Sequence, residues 1–243
     1  MRTFEVFLLL SFSTVALSDG GELLRSCKIK DIECLSKSTE QFLEKTCKGI
    51  PSADIRPIDP LVIPSLNYVV PEFGDVSIEY NNLNISGLRN QKISDFQMDK
   101  ETKSAELKVD VDLNIVGEIT INVPSKSKSF SGSYSAKAAA LATANYNYDL
   151  KVNEKGVRHF EVLPEKISCS IIGKPEVSLN GELIHALRSD ENFMVWREKF
   201  EKGREEFQKK VICKMIEKAF VTVVHNLRAA AKFLPAEDFF QDI

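Results

Sequence analysis

FQKKVICKMIEKAFVTVVHNL, residues 207–227, is the stretch on which the fold turns. Phe207, Val211, Met215, Ala219, Val223 and Leu227 recur every four residues, the spacing of one helical face, and Phe200 extends the stripe upstream. Ile212, Ile216, Phe220 and Val224 lie beside it and widen it until the last half is apolar on most sides. A helix with so little polar surface has to be wrapped by other structure. The proline-free run from Asp190 to Phe233 suffices for ~66 Å of helix, with Gly203 as the expected break.

Upstream, from Asp75 to Ser168, the apolar period is two. Leu107, Val109, Val111, Leu113 and Ile115 alternate with Lys108, Asp110, Asp112 and Asn114, so one face is buried and the other wet. Val76, Ile78 and Tyr80 alternate likewise. Asn81-Asn82 then shifts the phase, turning Leu83 and Ile85 inward and Asn84 outward, the pattern of a bulge. Polar clusters at Asp99 to Thr102, Pro124 to Ser129 and Asn153 to Gly156 separate the strands as turns, and past Pro175 the period returns to 3.6. The middle is a long antiparallel meander. A highly curved antiparallel sheet around one long C-terminal helix, an α+β fold, satisfies both periods; an ordinary sandwich has no use for so long an apolar rod.

Nearer the N-terminus, Leu35, Thr39, Phe42, Leu43 and Thr46 mark a short amphipathic helix, with Ser36 or Ser38 able to cap its start and Gly49 to stop it. Prolines at 51, 57, 60, 64 and 71 exclude regular helix from Ile50 to Pro71, which reads as extended connections.

The first residues are an address. Arg2 precedes an apolar run from Phe4 to Leu17, and Ala16-Leu17-Ser18 supplies small residues at a cleavage site after Ser18. A buried N-terminal helix fits worse, because the run has no polar face and ends in Ser-Asp-Gly-Gly. Residues 1–18 are thus expected to be a signal peptide and 19–243 a single secreted domain. Export makes the five cysteines, Cys27, Cys34, Cys47, Cys169 and Cys213, legible as a disulfide framework with one left over. A Cys169–Cys213 bond would tie the last strand to the long helix and close a loop of about 45 residues, worth roughly 4 kcal/mol. Cys27 with Cys34 would be a local staple, and Cys47 would remain a small buried hydrophobe. No CxxC pair and no histidine near a cysteine supports a metal site. Asn84-Ile85-Ser86 is a glycosylation sequon, usable in a secreted chain.

Of the 243 residues, 43% are apolar, ample for a packed core. Lys and Arg number 32 against 35 Asp and Glu, and a net charge of -3 gives no electrostatic reason to expect nucleic acid or an anionic membrane, while the one long apolar run lies at the extreme N-terminus, so stable membrane insertion is not expected. No cradle for a nucleotide or other cofactor is evident: GxGxxG and Walker loops are missing, as are HExxH and GxSxG. Of three histidines, His225 lies in the apolar helix and reads as a satisfied core residue. The pairs Asp110 with Asp112 and Glu205 with Glu206 fall on wet faces. The chain does not read as an enzyme.

One strand face is unusual: Ala138, Ala140, Ala142, Ala144, Tyr146, Tyr148 and Leu150. Inward alanines leave volume for either the long helix or an apolar ligand, and composition does not choose between them. An inward tyrosine needs a hydroxyl partner, which a ligand oxygen would supply as well as a backbone carbonyl.

The signal peptide is followed in order by CKIKDIECLSKSTEQFLEKTCKGIP, IRPIDPL, NNLNISGLRNQKISDFQMD, GVRHFEV and VVHNLRAAAKFLPAEDFFQDI. Over its whole length the chain resembles the hemolymph juvenile hormone-binding proteins of moths and butterflies, within the wider takeout-like family. The resemblance implies a long helix wrapped by a curved sheet, related to the lipid-binding modules of bactericidal/permeability-increasing protein, with an apolar cavity at each end. It implies the pairings Cys27–Cys34 and Cys169–Cys213, with Cys47 outside the pattern. It also implies a monomeric carrier of juvenile hormone, a methyl-ester sesquiterpenoid epoxide, shielding it from hydrolases without reacting with it. The family's Tyr-x-Tyr motif matches Tyr146-Asn147-Tyr148, with Tyr146 at the position that bonds the epoxide oxygen. The helix carrying Leu35, Phe42 and Leu43 corresponds to a lid, against which the terminal Phe239 and Phe240 are expected to pack. Competing readings are a takeout-like carrier of another apolar ligand and a lipid-surface or innate-immunity module.

Overall fold

The computed structural model describes residues 23–70 and 76–243. The expected signal peptide and Pro71 lie outside the described residues. The strands are β1 (Leu61–Val69), β2 (Ser77–Ser86), β3 (Lys92–Asp99), β4 (Ser104–Val123), β5 (Lys128–Val152) and β6 (Arg158–Leu179), and the helices are α1 (Ile32–Thr46), α2 (Gly181–Ser189), α3 (Glu191–Phe233) and α4 (Ala236–Phe239). All six strands form one antiparallel, strongly curled sheet in the order β1-β2-β4-β5-β6, with β3 as a branch on β4. β4 is long enough to hold two partners on one edge: β3 pairs with its first half, Lys92 opposite Asp110, and β2 with its second, Ser77 opposite Asn122.

The alanine face is explained by what lies across from it. Val109, Val111, Leu113 and Ile115 of β4 stand opposite Ala142, Ala140, Ala138 and Ala136 of β5, and all eight are buried. Branched side chains on one strand and methyls on the next leave a trough in which α3 lies, with Val211, Ile212, Met215, Ile216, Ala219 and Phe220 buried along it. Over this part of the sheet the helix fills the volume that the alanines leave. The Cys169–Cys213 bond fastens β6 to the same helix, Cys27–Cys34 is also formed, and Cys47 is free and buried.

Four expectations need correction. Helix α3 does not break at Gly203 but runs through it, and the Phe200 and Phe207 rings meet at 5.7 Å across that turn. One helical glycine costs about 1 kcal/mol, too little to interrupt a long helix held elsewhere along its length. Helical structure does not resume at Pro175 but after Leu179. The prolines of β6, Pro164 and Pro175, both sit at shifts in its register with β5, where no ladder N–H is required, and Gly173 takes φ +71° in the second. At the first shift the carbonyls of Val162 and Leu163 accept hydrogen bonds from Arg228 instead, at 2.9 and 3.1 Å, so the bulge fastens the end of α3 to the sheet.

The span from Ile50 to Pro71 is not only connection, since it contains β1. Pro64 is tolerated because β1 is an edge strand and its register places Pro64 opposite Asn82, at the bulge read from Asn81-Asn82. Helix α1 begins earlier than expected. Its cap is Asp31, whose carboxylate accepts from the Cys34 N–H at 3.0 Å, while Ser38 is buried and exchanges hydrogen bonds with the Arg25 backbone.

Candidate functional site

Past Ala144 the alanine trough ends and Tyr146 and Tyr148 follow on the same buried face. Here an apolar cavity of about 150 Å³ lies between the helix and the sheet. The Tyr-x-Tyr end of β5 forms one wall, with Phe160 and Val162 of β6. Ile93, Phe96 and Met98 of β3 form a second, and Val223, Leu227, Ala230 and Ala231 of α3 the floor. Helix α1 closes the top with Leu35, Thr39, Phe42 and Leu43, and the chain terminus adds Phe239 and Phe240.

The amphipathic spacing of α1 accounts for its placement. Leu35, Ser38, Leu43 and Thr46 are buried, while Glu33 and Lys37 pair at 2.7 Å on the solvent side. Its N-terminal end is tied to the C-terminal tail. Cys27 N–H donates to the Phe239 carbonyl at 3.3 Å and Gln241 N–H to the Cys27 carbonyl at 2.9 Å, next to the Cys27–Cys34 bond. Both terminal phenylalanines therefore line the cavity beside α1, Phe239 half-buried. Phe240 is buried, stacked on Phe96 at 5.4 Å and edge-on to Phe160 at 5.7 Å.

The two tyrosines differ. Tyr148 donates its hydroxyl to the Asp99 carbonyl at 3.3 Å, so its polar end is used by the fold and its ring alone faces the cavity. Tyr146 is buried, and desolvation holds its phenol pKa well above the usual value, so the group stays a neutral O–H donor. No protein acceptor for that hydroxyl occurs among the described residues. A buried, uncommitted donor in an apolar cavity suits a ligand oxygen.

Reading the sequence singled out Tyr146, Tyr148, Leu35, Phe42, Leu43, Phe239 and Phe240, and the fold brings all seven to this cavity. It missed the β3 wall and Phe160. A bulge at Ser94 puts Ile93 and Phe96, three residues apart, on one face, which a search for period two does not detect. Asn84 stands on the outer face between Val62 and Val116, far from the cavity. The other groups read as unreactive are satisfied or solvated: His225 Nε2 lies 3.0 Å from the Asp54 carbonyl, and Asp110, Asp112, Glu205 and Glu206 are exposed. Among the described residues no His, Cys, Asp and Glu group is arranged to hold a metal ion, and no helix is long and apolar enough to cross a membrane.

At the opposite end of the sheet a second apolar cavity, of about 380 Å³, lies beneath Tyr80, Tyr134, Leu187 and Phe207. The two-ended arrangement that the resemblance implied is present.

Residues 6–233 match the haemolymph juvenile hormone binding protein (JHBP) family. The chain belongs to that family. It is 48% identical over 229 residues to the juvenile hormone-binding protein of Manduca sexta, covering 93% of this chain and 99% of the relative. The crystal structure of Takeout 1 from Epiphyas postvittana superposes with a TM-score of 0.68 at 16% identity, over 90% of this chain and 100% of that one, and so shares the fold. The family and this relative are both described as juvenile hormone binding proteins.

Proposed function

We propose that this protein is a secreted carrier that holds juvenile hormone in the cavity beneath α1, moves it through haemolymph and keeps it from hydrolases. The observation that carries the reading is the Tyr146 hydroxyl, buried, neutral and uncommitted in an otherwise apolar enclosure. The hormone is an apolar chain with an epoxide at one end. Tyr146 would donate to the epoxide oxygen, while Leu35, Phe42, Leu43, Tyr148, Phe239 and Phe240 would contact the hydrocarbon. About twenty heavy atoms at ~0.3 to 0.5 kcal/mol each give ~6 to 10 kcal/mol, a dissociation constant roughly between tens of micromolar and tens of nanomolar. That range allows loading and release. The leader sequence, two disulfides and the family's haemolymph setting support secretion, with the mature domain beginning at Asp19.

Tyr146→Phe should weaken hormone binding by ~1 kcal/mol, about fivefold, and leave the fold intact because ring volume is kept. An analogue without the epoxide should bind both proteins equally in a competition assay. Equal losses for the two ligands would mean that Tyr146 does not read the epoxide.

The Asn84 sequon is proposed to be used. Asn84 pairs with Val62 and Val116 on the outer face, where those valines are 58% and 41% exposed, and a glycan there would cover an apolar strip without approaching the cavity. Intact mass of protein from haemolymph should exceed the chain mass and fall to it after glycosidase, with hormone affinity unchanged. A mature mass equal to residues 19–243 alone would exclude the modification.

A further inference from the structure

The carrier reading assigns a partner to one end of the ligand only. The cavity's buried polar side chains are Ser38, Gln91, Tyr146, Tyr148 and Asn226. Ser38 is bonded to the Arg25 backbone, Tyr148 to the Asp99 carbonyl, and Asn226 to both the N–H and the carbonyl of Arg56, at 2.8 and 2.7 Å. Besides Tyr146 there remains Gln91. It is 2% exposed, and its Oε1 is a fully buried side-chain atom without a hydrogen-bond partner among the described residues. Leaving a buried carboxamide unpaired is unfavourable, and such a group persists where function uses it.

Gln91 is also held in place. It follows the turn Leu88–Asn90, whose backbone is gripped by the buried Asp59 carboxylate, accepting from Gly87 N–H at 3.1 Å and Arg89 N–H at 3.0 Å. The sheet register sets its distance from the tyrosine. Tyr146 pairs with Ala105, and Ile93, two residues past Gln91, pairs with Val109. Four to six residues of β4 therefore separate the two backbone positions, roughly 13 to 20 Å along the strand.

We infer that Gln91 is the second polar anchor of the cavity and donates a hydrogen bond from its carboxamide to the carbonyl oxygen of the ligand's ester. A half-turn about the terminal side-chain bond exchanges Oε1 and Nε2, so either atom can take the unpaired position. The hormone carries acceptors at both ends, and its main chain separates epoxide from ester by about ten bonds, roughly 12 Å extended. A hydrogen bond of roughly 3 Å at each end brings the ligand's reach to about 18 Å, the same order as the separation of the two residues along the strand. Two donors at matched spacing would select a long chain with an oxygen at each end over a plain hydrocarbon or a shorter terpenoid.

This assignment rests on the carrier reading, and the experiment separates the two. Binding is measured for the methyl-ester hormone and for an epoxide-bearing analogue in which a methylene replaces the ester carbonyl, on the native protein and on Gln91→Met. The native protein should prefer the ester about three- to tenfold, and Gln91→Met should lose that factor for the ester alone. Its hormone-free thermal midpoint should be unchanged or higher, since an orphaned polar group has been removed; a residue with a merely structural role would lower it. Equal affinity of the native protein for ester and methylene ligands, or an equal loss for both in the variant, would overturn the role of Gln91. Failure of the native protein to bind either ligand would instead remove the carrier reading.

Discussion

Replacing both Cys169 and Cys213 with alanine is expected to lower the thermal midpoint by ~10 °C, the largest stability effect of any change outside the core. The bond closes a 44-residue separation containing the end of β6, α2 and the first half of α3. In the chain-entropy account such a loop is worth roughly 4 kcal/mol, and for a domain of this size 1 kcal/mol moves the midpoint about 2 to 4 °C. The position adds to the expectation. Cys169 pairs with Ala142 in the trough, so the bond holds the helix where the alanines leave room for it. Cys47→Ser is the control, because this cysteine is buried but free, with its thiol only 3.9 Å from the Glu44 carbonyl. Its effect should stay near 1 kcal/mol. Calorimetry on the two variants gives the comparison, and double replacement avoids the simultaneous loss of Cys27–Cys34 that a reductant would cause. A Cys47→Ser shift as large as that of the double variant would mean that the bridge contributes little.

Hormone is expected to slow amide exchange across Leu35 to Cys47 by tenfold or more while leaving Val211 to Val224 equally protected in both states. A ligand needs a way in, and the centre of the sheet does not offer one: β4 and β5 pair without interruption from Ser104 opposite Asn147 to Val123 opposite Lys128. Helix α1 is the separable part. It meets the rest of the protein through Leu35, Leu43 and their neighbours, and beneath Leu35, Phe42 and Leu43 lies the cavity itself, so part of its apolar face lacks packing partners until a ligand supplies them. Its two ends are fixed differently, by Cys27–Cys34 at the start and by Gly49 at φ +84° just past the end, where a Cβ would come within 2.9 Å of the Ile55 carbonyl oxygen. The staple anchors one end and the glycine turn sets the direction in which the chain leaves the other. Ligand contact with the underside should therefore slow both opening of the helix and escape of the hormone. Hydrogen exchange with and without hormone decides it. Identical protection of α1 in the two states would make it a rigid wall and move the access route elsewhere.

Periodicity made the architecture readable before any coordinates. The stripe from Phe207 to Leu227 required wrapping, the alternation around Leu107 to Ile115 supplied a wrapping sheet, and Asn81-Asn82 located a bulge that the register bears out. These are local signals, each contained within one strand or one helix, and they depend only on which side of a segment is apolar. The alanine face showed that space existed next to β5, and Tyr146 that a polar group faced it. The tertiary structure alone decided how that space is divided: α3 fills it from Ala136 to Ala142 opposite the branched residues of β4, and it stays open beyond Ala144. It also decided that Pro64, Pro164 and Pro175 sit within strands, because register shifts between strands excuse the missing N–H; that the β3 wall and Phe160 belong to the cavity; and that Gln91 Oε1 is left without a partner while Asn226 is not. Each of these depends on where a second segment lies. A chain carries its own apolar pattern along its length, but whether a volume is filled or a polar atom satisfied is a property of two or more segments brought together, and exists only once they have packed.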